Sequence, residues 1–517
     1  MSKHGIGLCL LALGAATMAH AAPVAEVVAE APHSDQAPRI NGPSLFGVRP
    51  GHPCLYAIPA TGARPMTYAV EGLPEGLAVD SETGIITGRL AEAGDYEVTL
   101  RARNARGEAQ KRFVLKCGEK ICLTPPMGWN SWNCWGTDVD REKVLRAAQA
   151  LVSTGLAQHG WTYVNIDDAW QGERQEGSAL QPNEKFTDLS GLCDEIHARG
   201  LKVGIYSTPW TTSYGGFAGS SSDQADGAWA AEAGDDLGRH FGRYAFIEAD
   251  ARQWADWGID YLKYDWAPID IAHAATAYEA LRDSGRDIVL SLSNSAALSL
   301  ADQLPEVANC WRTTGDIGDQ WQYLRGDDAS WRWGVSEIGF SQDRWAPAAG
   351  PGHWNDADML VLGRVGWGDT QHPTKLTRNE QYSHMSLWCM LSSPLLLGCD
   401  LERLDDFTLS LLTNDEVIAI NQDALGRQAV RVATVGAVDV YLKPLETGAF
   451  ALAFFNRSEQ TQTFLFNKME KVGLGGPHHV RDLWQRRDLP DCDGEIKGTV
   501  GGHGVLLLQL EPVVPQS

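Results

Sequence analysis

Four short segments of this chain place carboxylates where bond-breaking chemistry could occur. Asp167-Asp168-Ala169-Trp170, Lys263-Tyr264-Asp265-Trp266, Arg312-Thr313-Thr314-Gly315-Asp316 and Asp356-Ala357-Asp358 each lie at the end of an apolar run. Acidic side chains are expensive inside a fold unless paired. One such segment is ordinary, because Asp often caps the helix that follows. Four are not well explained by capping and point to a common site. A metal centre usually wants His or closely spaced carboxylates. No HExxH is present, and Lys263 and Arg312 sit among the acids, where a cation competes with a metal. His478-His479 lie near the C-terminus and read as solvated surface. Glycosidic cleavage fits the set better. It needs two carboxyl groups, about 5–5.5 Å apart when configuration is retained, one an ionised nucleophile and one a protonated acid. A flanking lysine and arginine can hold one ionised, while like-charge repulsion and burial raise the other.

The elements that must position these groups are legible as a rhythm. Over 119–425, apolar β-rich runs alternate with helical patterns. Strands are expected near Met127–Trp129, Tyr163–Ile166, Leu201–Tyr206, Tyr261–Tyr264, Ile288–Leu292, Cys310–Thr313, Trp354–Met359 and Pro394–Leu397. Helices are expected over 141–156, with Val144, Ala148, Leu151 and Val152 on one face, and near 189–199, 248–257 and 274–283. Eight such βα units in roughly 300 residues suggest a (β/α)8 TIM barrel, whose catalytic groups lie at the strand C-terminal ends. A doubly wound open sheet is the alternative, but no GxGxxG turn appears.

The flanks differ from the barrel. Met1 to Ala22 reads as a secretory signal peptide, with Lys3 and His4 before the apolar run Ile6 to Ala16 and a small-x-small cleavage site at Ala19-His20-Ala21. An exported protein, periplasmic or secreted, is expected. Residues 23–38 read as a flexible Ala/Pro/Glu-rich linker. In 39–118, Tyr96, Val98, Leu100 and Ala102 alternate with polar residues, which predicts half-buried strands and a β-sandwich. Residues 426–517 return to strands, Val438-Tyr441, Phe450-Phe455, Thr463-Phe466 and Val505-Leu510, as a C-terminal antiparallel β domain. The net charge is −23, with no cluster of cations. That excludes a phosphate-backbone binder and disfavours an anionic membrane surface. Beyond the leader nine cysteines remain, an odd number without a CxxC pair, and Cys54 with Cys117 could staple the first domain by a disulfide.

Six ordered motifs resemble the family 27 glycoside hydrolases, the clan D α-galactosidases. They are Thr124-Pro125-Pro126-Met127-Gly128-Trp129-Asn130-Ser131-Trp132-Asn133, Asn165-Ile166-Asp167-Asp168-Ala169-Trp170, Gly204-Ile205-Tyr206, Leu262-Lys263-Tyr264-Asp265, Trp311-Arg312 with Asp316, and Trp354-Asn355-Asp356-Ala357-Asp358-Met359-Leu360. The resemblance covers about 122–513, and residues 76–88 resemble bacterial Ig-like modules. It implies that Asp265 is the nucleophile and Asp316 the acid and then the base. It implies that Asp167 and Asp168 bind the O6 and O4 hydroxyls of galactose, and that Lys263 bonds O3/O4 and keeps Asp265 ionised. Arg312 would reach O2, Trp132 would stack on the sugar, Tyr206 would pack beside the nucleophile, and Asp358 and Met359 would complete the wall. No cofactor or metal is implied.

The chain departs from the pattern at three places. Ala169 stands where many relatives have Cys, and Trp266-Ala267 stand where many have a Cys after the nucleophile. Ser291-Leu292-Ser293-Asn294-Ser295-Ala296 replaces a Cys-Glu-Trp run whose Glu binds the 2-hydroxyl. With Ser293 in the Glu position and Ala296 downstream, the C2 pocket would resemble that of α-N-acetylgalactosaminidases. The leading expectation is an exported retaining α-galactosidase acting on α-galactosyl oligosaccharides or polysaccharide side chains. The alternatives are an α-N-acetylgalactosaminidase, a β-L-arabinopyranosidase or a catalytically inactive carbohydrate-binding protein.

Overall fold

The structure, a computed structural model, describes residues 36–175, 180–229, 239–323 and 332–513. The expected signal peptide and residues 23–35 of the expected linker lie outside them.

Eight parallel strands build the centre: β1 (Met127–Asn130), β2 (Tyr163–Asn165), β3 (Lys202–Ser207), β4 (Tyr261–Asp265), β5 (Val289–Ser293), β6 (Cys310–Arg312), β7 (Trp354–Asp356) and β8 (Leu395–Leu397). They are ordered β7-β6-β5-β4-β3-β2-β1-β8. A parallel bridge between Leu360, just beyond β7, and Leu397 at the end of β8 closes the sheet into a barrel. The strands are almost wholly buried, which is why they read as short apolar runs rather than as alternations. Helices cover them outside. Asp140, Asp188 and Asp270 cap the helices Arg141–Ser153, Leu189–His197 and Ile271–Arg282 by accepting backbone N–H groups. Val144, Ala148 and Leu151 face the barrel as expected, but Val152 is 37% exposed. Eight residues beyond Val144, at 3.6 residues per turn, it has rotated roughly 80° off the stripe.

The N-terminal unit is a β-sandwich. One sheet orders Leu45–Val48, Gly107–Cys117, Gly94–Asn104 and Thr67–Glu71, and the other Pro53–Ala57, Ile85–Arg89 and Leu77–Val79. Val98, Leu100, Ala102, Phe113 and Leu115 fill the space between them. The unit docks at the end of the barrel opposite the strand C-termini. Asp287, just ahead of β5, accepts from the backbone N of Arg49 at 2.9 Å, and its other oxygen meets Arg49 Nη1 at 3.3 Å and His52 Nδ1 at 2.9 Å. Asp287→Ala is therefore expected to destabilise this junction by about 1–3 kcal/mol. Melting curves should show the loss, and kcat should not change, because the junction lies far from the strand C-termini.

The expected disulfide is not formed. Cys54 and Cys117 are buried in the sandwich core as free thiols, and the other described cysteines are free as well. The apolar core already holds the two sheets together, and burial pushes the Cys54 thiol up to about 11, which keeps it protonated.

The C-terminal unit is antiparallel throughout. Its six-stranded sheet runs Val430–Val435, Val438–Pro444, Phe450–Asn456, Val505–Pro512, Pro477–Asp482, Arg487–Asp493, with Gln462–Phe466 and Ile496–Val500 paired beside it. Tyr441, Ala451, Ala453, Phe455 and Leu507 continue the barrel core. The helix Arg378–Leu391 is sandwiched there and buried nearly all round, so its sequence shows little amphipathicity. His478 is buried, with Nδ1 3.0 Å from the Gly476 carbonyl, and only His479 is the solvated residue expected of both. Strand alternation separates the two faces.

Candidate active site

The strand C-termini open into a cavity of about 710 Å³. Trp132, Asp167, Asp168, Tyr206, Lys263, Asp265, Arg312, Asp316, Asp358 and Met359 all line it. Ser293, expected with them, does not. It is buried between the strands beneath the cavity, beside Ser291, Tyr261 and Asp356. Its Cα pairs in register with Asp265, and pleat alternation sends Ser291 and Ser293 to the barrel interior. The cavity is lined instead by Asn294. This residue follows β5 in a left-handed conformation, φ 73°, and turns over the rim so that its Nδ2 donates to Asp265 Oδ1. Ala296 is buried and does not line the cavity either.

One side of the cavity is a sugar-sized set of polar groups held rigidly. Lys263 Nζ and Asn130 Nδ2 each donate to Asp167 Oδ2 at 2.9 Å, and the Asp167 backbone N donates to Ser131 Oγ at 2.9 Å. The Asp168 carboxylate accepts from Gln171 Nε2 at 3.0 Å and from the Gly215 backbone N at 2.7 Å. Ala169, at φ 89°, donates its backbone N–H to Asp168 Oδ1 at 2.9 Å. A non-glycine residue in that region stores roughly 1–3 kcal/mol of strain, a feature that clusters at functional sites. The Tyr206 ring lies 5.4 Å from Lys263 Nζ, and its carbonyl accepts from Trp170 Nε1 at 2.8 Å. On the other side, Arg312 Nη2 meets Asp316 Oδ1 at 3.0 Å and Asp358 Oδ2 at 2.8 Å. Asp356 Oδ1 accepts from the Asp358 backbone N at 2.7 Å, a structural role.

The two candidate catalytic carboxyls sit in unlike surroundings. Asp265 is buried, and burial pushes its pKa up to about 7. Lys263 opposes that shift, while Asp316 and Asp167 reinforce it. The Asp316 side chain is half-exposed, and its pKa is lowered: burial would raise it, but Arg312 and Lys263 outweigh burial. Burial thus favours the neutral form of Asp265, and Arg312 and Lys263 favour the ionised form of Asp316. Lys263 acts on Asp265 in the expected direction, towards the ionised form, but burial outweighs it. The lysine is hydrogen-bonded to Asp167, and among the described hydrogen bonds Asp265 accepts only from Asn294.

Sequence reasoning also passed over Tyr214, Asp319, Trp367 and His372, which line the same cavity. They come from loops beyond the strand ends, where no periodicity marks them. Among the described residues, no three His, Cys, Asp or Glu converge in a way that could hold a metal ion.

Residues 124–240 and 236–423 match the family model described as Alpha galactosidase A. Residues 435–510 match the Alpha galactosidase C-terminal beta sandwich domain, and 37–117 match an Ig domain model. The Alpha-galactosidase A of Cellvibrio japonicus is 34% identical, over 76% of this chain and 93% of its own length. The Alpha-galactosidase of Coffea arabica is 36% identical, over 78% and 97%. A crystal structure from Bacteroides fragilis superposes with a TM-score of 0.83 at 35% identity, covering 93% of this chain and 99% of that one. That last likeness takes in all three units.

Proposed function

The chain belongs to the alpha galactosidase A family and is a glycoside hydrolase, and from that premise we propose that it removes terminal α-D-galactosyl residues with retention of configuration. The observation that carries the reading is that Asp265, at the end of β4, and Asp316, in the loop after β6, line one cavity together with the Asp167–Lys263 and Asp168 set.

Asp316 donates a proton to the glycosidic oxygen as that bond breaks, and Asp265 attacks the anomeric carbon to form a covalent galactosyl-enzyme. Asp316 then takes a proton from water as the water displaces Asp265. Asp167, Asp168 and Lys263 orient the ring by its hydroxyls, and Trp132 covers its apolar face. Arg312 reaches the C2 side, with Asp358 and Met359 completing the wall. The productive state has Asp265 ionised and Asp316 protonated. The pair titrates as a unit with one shared proton. A leaving group laid over the half-exposed Asp316 strips its water and draws the proton towards it.

This arrangement fixes the pH behaviour. The second proton lost from the free enzyme comes from Asp265, so kcat/KM should fall as pH rises through about 7. Asn294→Ala removes a donor that favours the Asp265 carboxylate. A hydrogen bond to a charged group contributes about 1.5–3 kcal/mol. The plateau of kcat/KM should drop roughly tenfold or more, and the alkaline limb should move to higher pH. A pH–rate profile checks both. A merely structural Asn294 would lower the plateau and leave the limb in place.

The N-acetylgalactosaminidase reading rested on Ser293 and Ala296 opening a C2 pocket. Asn294 lines the cavity and neither Ser293 nor Ala296 does, so that reading has less support. Hydrolysis of aryl α-galactoside, α-N-acetylgalactosaminide and β-L-arabinopyranoside tests the reading, with NMR of the first-formed anomer. It fails if the galactoside is not the preferred of the three, or if the first product is the β-anomer. We also propose that the protein acts outside the cytoplasm, on the composition of residues 1–22. N-terminal sequencing of the exported form should begin at Ala22 or Pro23.

A further inference from the structure

The cavity extends beyond the groups that would hold one hexose, and its outer wall carries an unusual side chain. Of the large apolar residues that stay exposed among the described residues, Trp367 alone lines the cavity, with 47% of its surface open. A tryptophan is ordinarily buried, and this one keeps about half of its surface open beside a polar pocket, 47% by area.

Trp367 is held rather than loose. It sits at the tip of a turn between the antiparallel segments Arg364–Val365 and His372–Pro373. Its carbonyl accepts from Thr370 N at 2.9 Å and from Thr370 Oγ1 at 2.7 Å. The turn is bonded to the loop that follows β1: Gly366 N donates to Asn133 O at 2.7 Å, and Gln371 Nε2 to Cys134 O at 2.8 Å. The ring meets Trp132 edge-on, with centroids 5.3 Å apart. It also lies over Gly136, where an added Cβ would come within 2.9 Å of it. The same segment is joined to the loop that carries Asp316, since Lys375 N donates to Asp319 Oδ2 at 3.1 Å. Trp367 thus belongs to a segment bonded both to the loop that carries Trp132 and to the loop that carries Asp316, and it lines the cavity with both residues. The acid must lie beside the glycosidic oxygen, so the open space outward of it receives the leaving group.

We propose that Trp367 is the platform on which a sugar leaving group stacks. The inference rests on the galactosidase reading above. A pyranose offers an apolar C–H face to the indole and hydroxyls to Asp319 and His372 at the cavity edge. The ring's fixed position means that little ordering entropy is lost on binding.

The test compares Trp367→Ala and Trp367→Phe with the wild type on two donors. One is α-D-galactosyl fluoride, whose leaving group is a single atom. The other is an α-(1→6)-linked galactosyl-glucose disaccharide. Trp367→Ala should lower kcat/KM for the disaccharide at least tenfold more than for the fluoride, and Trp367→Phe should recover part of that difference. Equal losses on both donors would mean that Trp367 acts only through Trp132, and they overturn the proposal. So does an unchanged disaccharide rate. Failure of the wild type to turn over the fluoride would instead overturn the galactosidase reading on which the proposal rests.

Discussion

Asp265→Asn is expected to lower kcat/KM on an aryl α-galactoside by on the order of 10⁴-fold or more, as loss of a covalent nucleophile does, and at the same time to stabilise the fold above neutral pH. The second effect follows from the first environment. Asp265 is buried, and its pKa is raised from 3.8 to about 7. Between those values the folded state holds a proton that the unfolded state has released. Stability contributed by that proton is full below pH 4 and is lost as pH rises towards 7. The upper bound on the loss is about 4 kcal/mol at 1.36 kcal/mol per unit. Asparagine carries no such charge, so the variant should melt higher than wild type at pH 8 and alike at pH 4. Chemistry offers a second readout. With Asp265→Gly, azide can occupy the vacated space on the β face and attack an activated α-galactoside directly, giving β-galactosyl azide. A variant that keeps substantial activity, or that melts lower at pH 8, contradicts the assignment.

Removing the carboxyl of Asp316 should produce a different signature. Its proton matters in proportion to how badly the leaving group needs one. Asp316→Ala should lower kcat/KM on a disaccharide by roughly 10²–10⁴-fold, the usual span for general acid–base catalysis. A dinitrophenyl galactoside, whose leaving group departs unprotonated, should form the covalent intermediate at a rate much closer to wild type. That intermediate then waits for a base that is missing. Azide needs no base, so it should restore turnover and give α-galactosyl azide, the anomer opposite to that from the nucleophile variant. Equal losses on the two donors, or the β-azide, would show that Asp316 is not the acid. Arg312 keeps Asp358 as a partner at 2.8 Å in this variant, so the pocket should stay assembled.

The barrel was legible because its strands are buried on both faces and its helices on one, and those two burial regimes write different periods into the chain. All eight strand positions, the two flanking β units and the acids at the strand ends followed from that. Asp265, Lys263 and Arg312 were legible for a related reason: charged residues within or directly after apolar runs have few structural uses, and Asp316 was legible from the motif it shares with Arg312. The helix Arg378–Leu391 left little trace, because a helix buried almost all round has no polar face to mark it.

What tertiary structure alone decided lies beyond the strand ends. Whether Ser293 or Asn294 lines the cavity depends on the two left-handed residues that follow β5, Asn294 and Ser295, which turn the chain over the rim. Trp367 joins the site only because its turn is bonded to the loop after β1. The unlike surroundings of the two carboxyls were decided by three-dimensional spacing: Lys263 bonds Asp167, Arg312 bonds Asp316, and at Asp265 burial outweighs the nearby lysine. Composition and order specify which charges exist and on which strands. Electrostatic energy depends on the distances between them and on their access to water, and those are set only when the barrel closes.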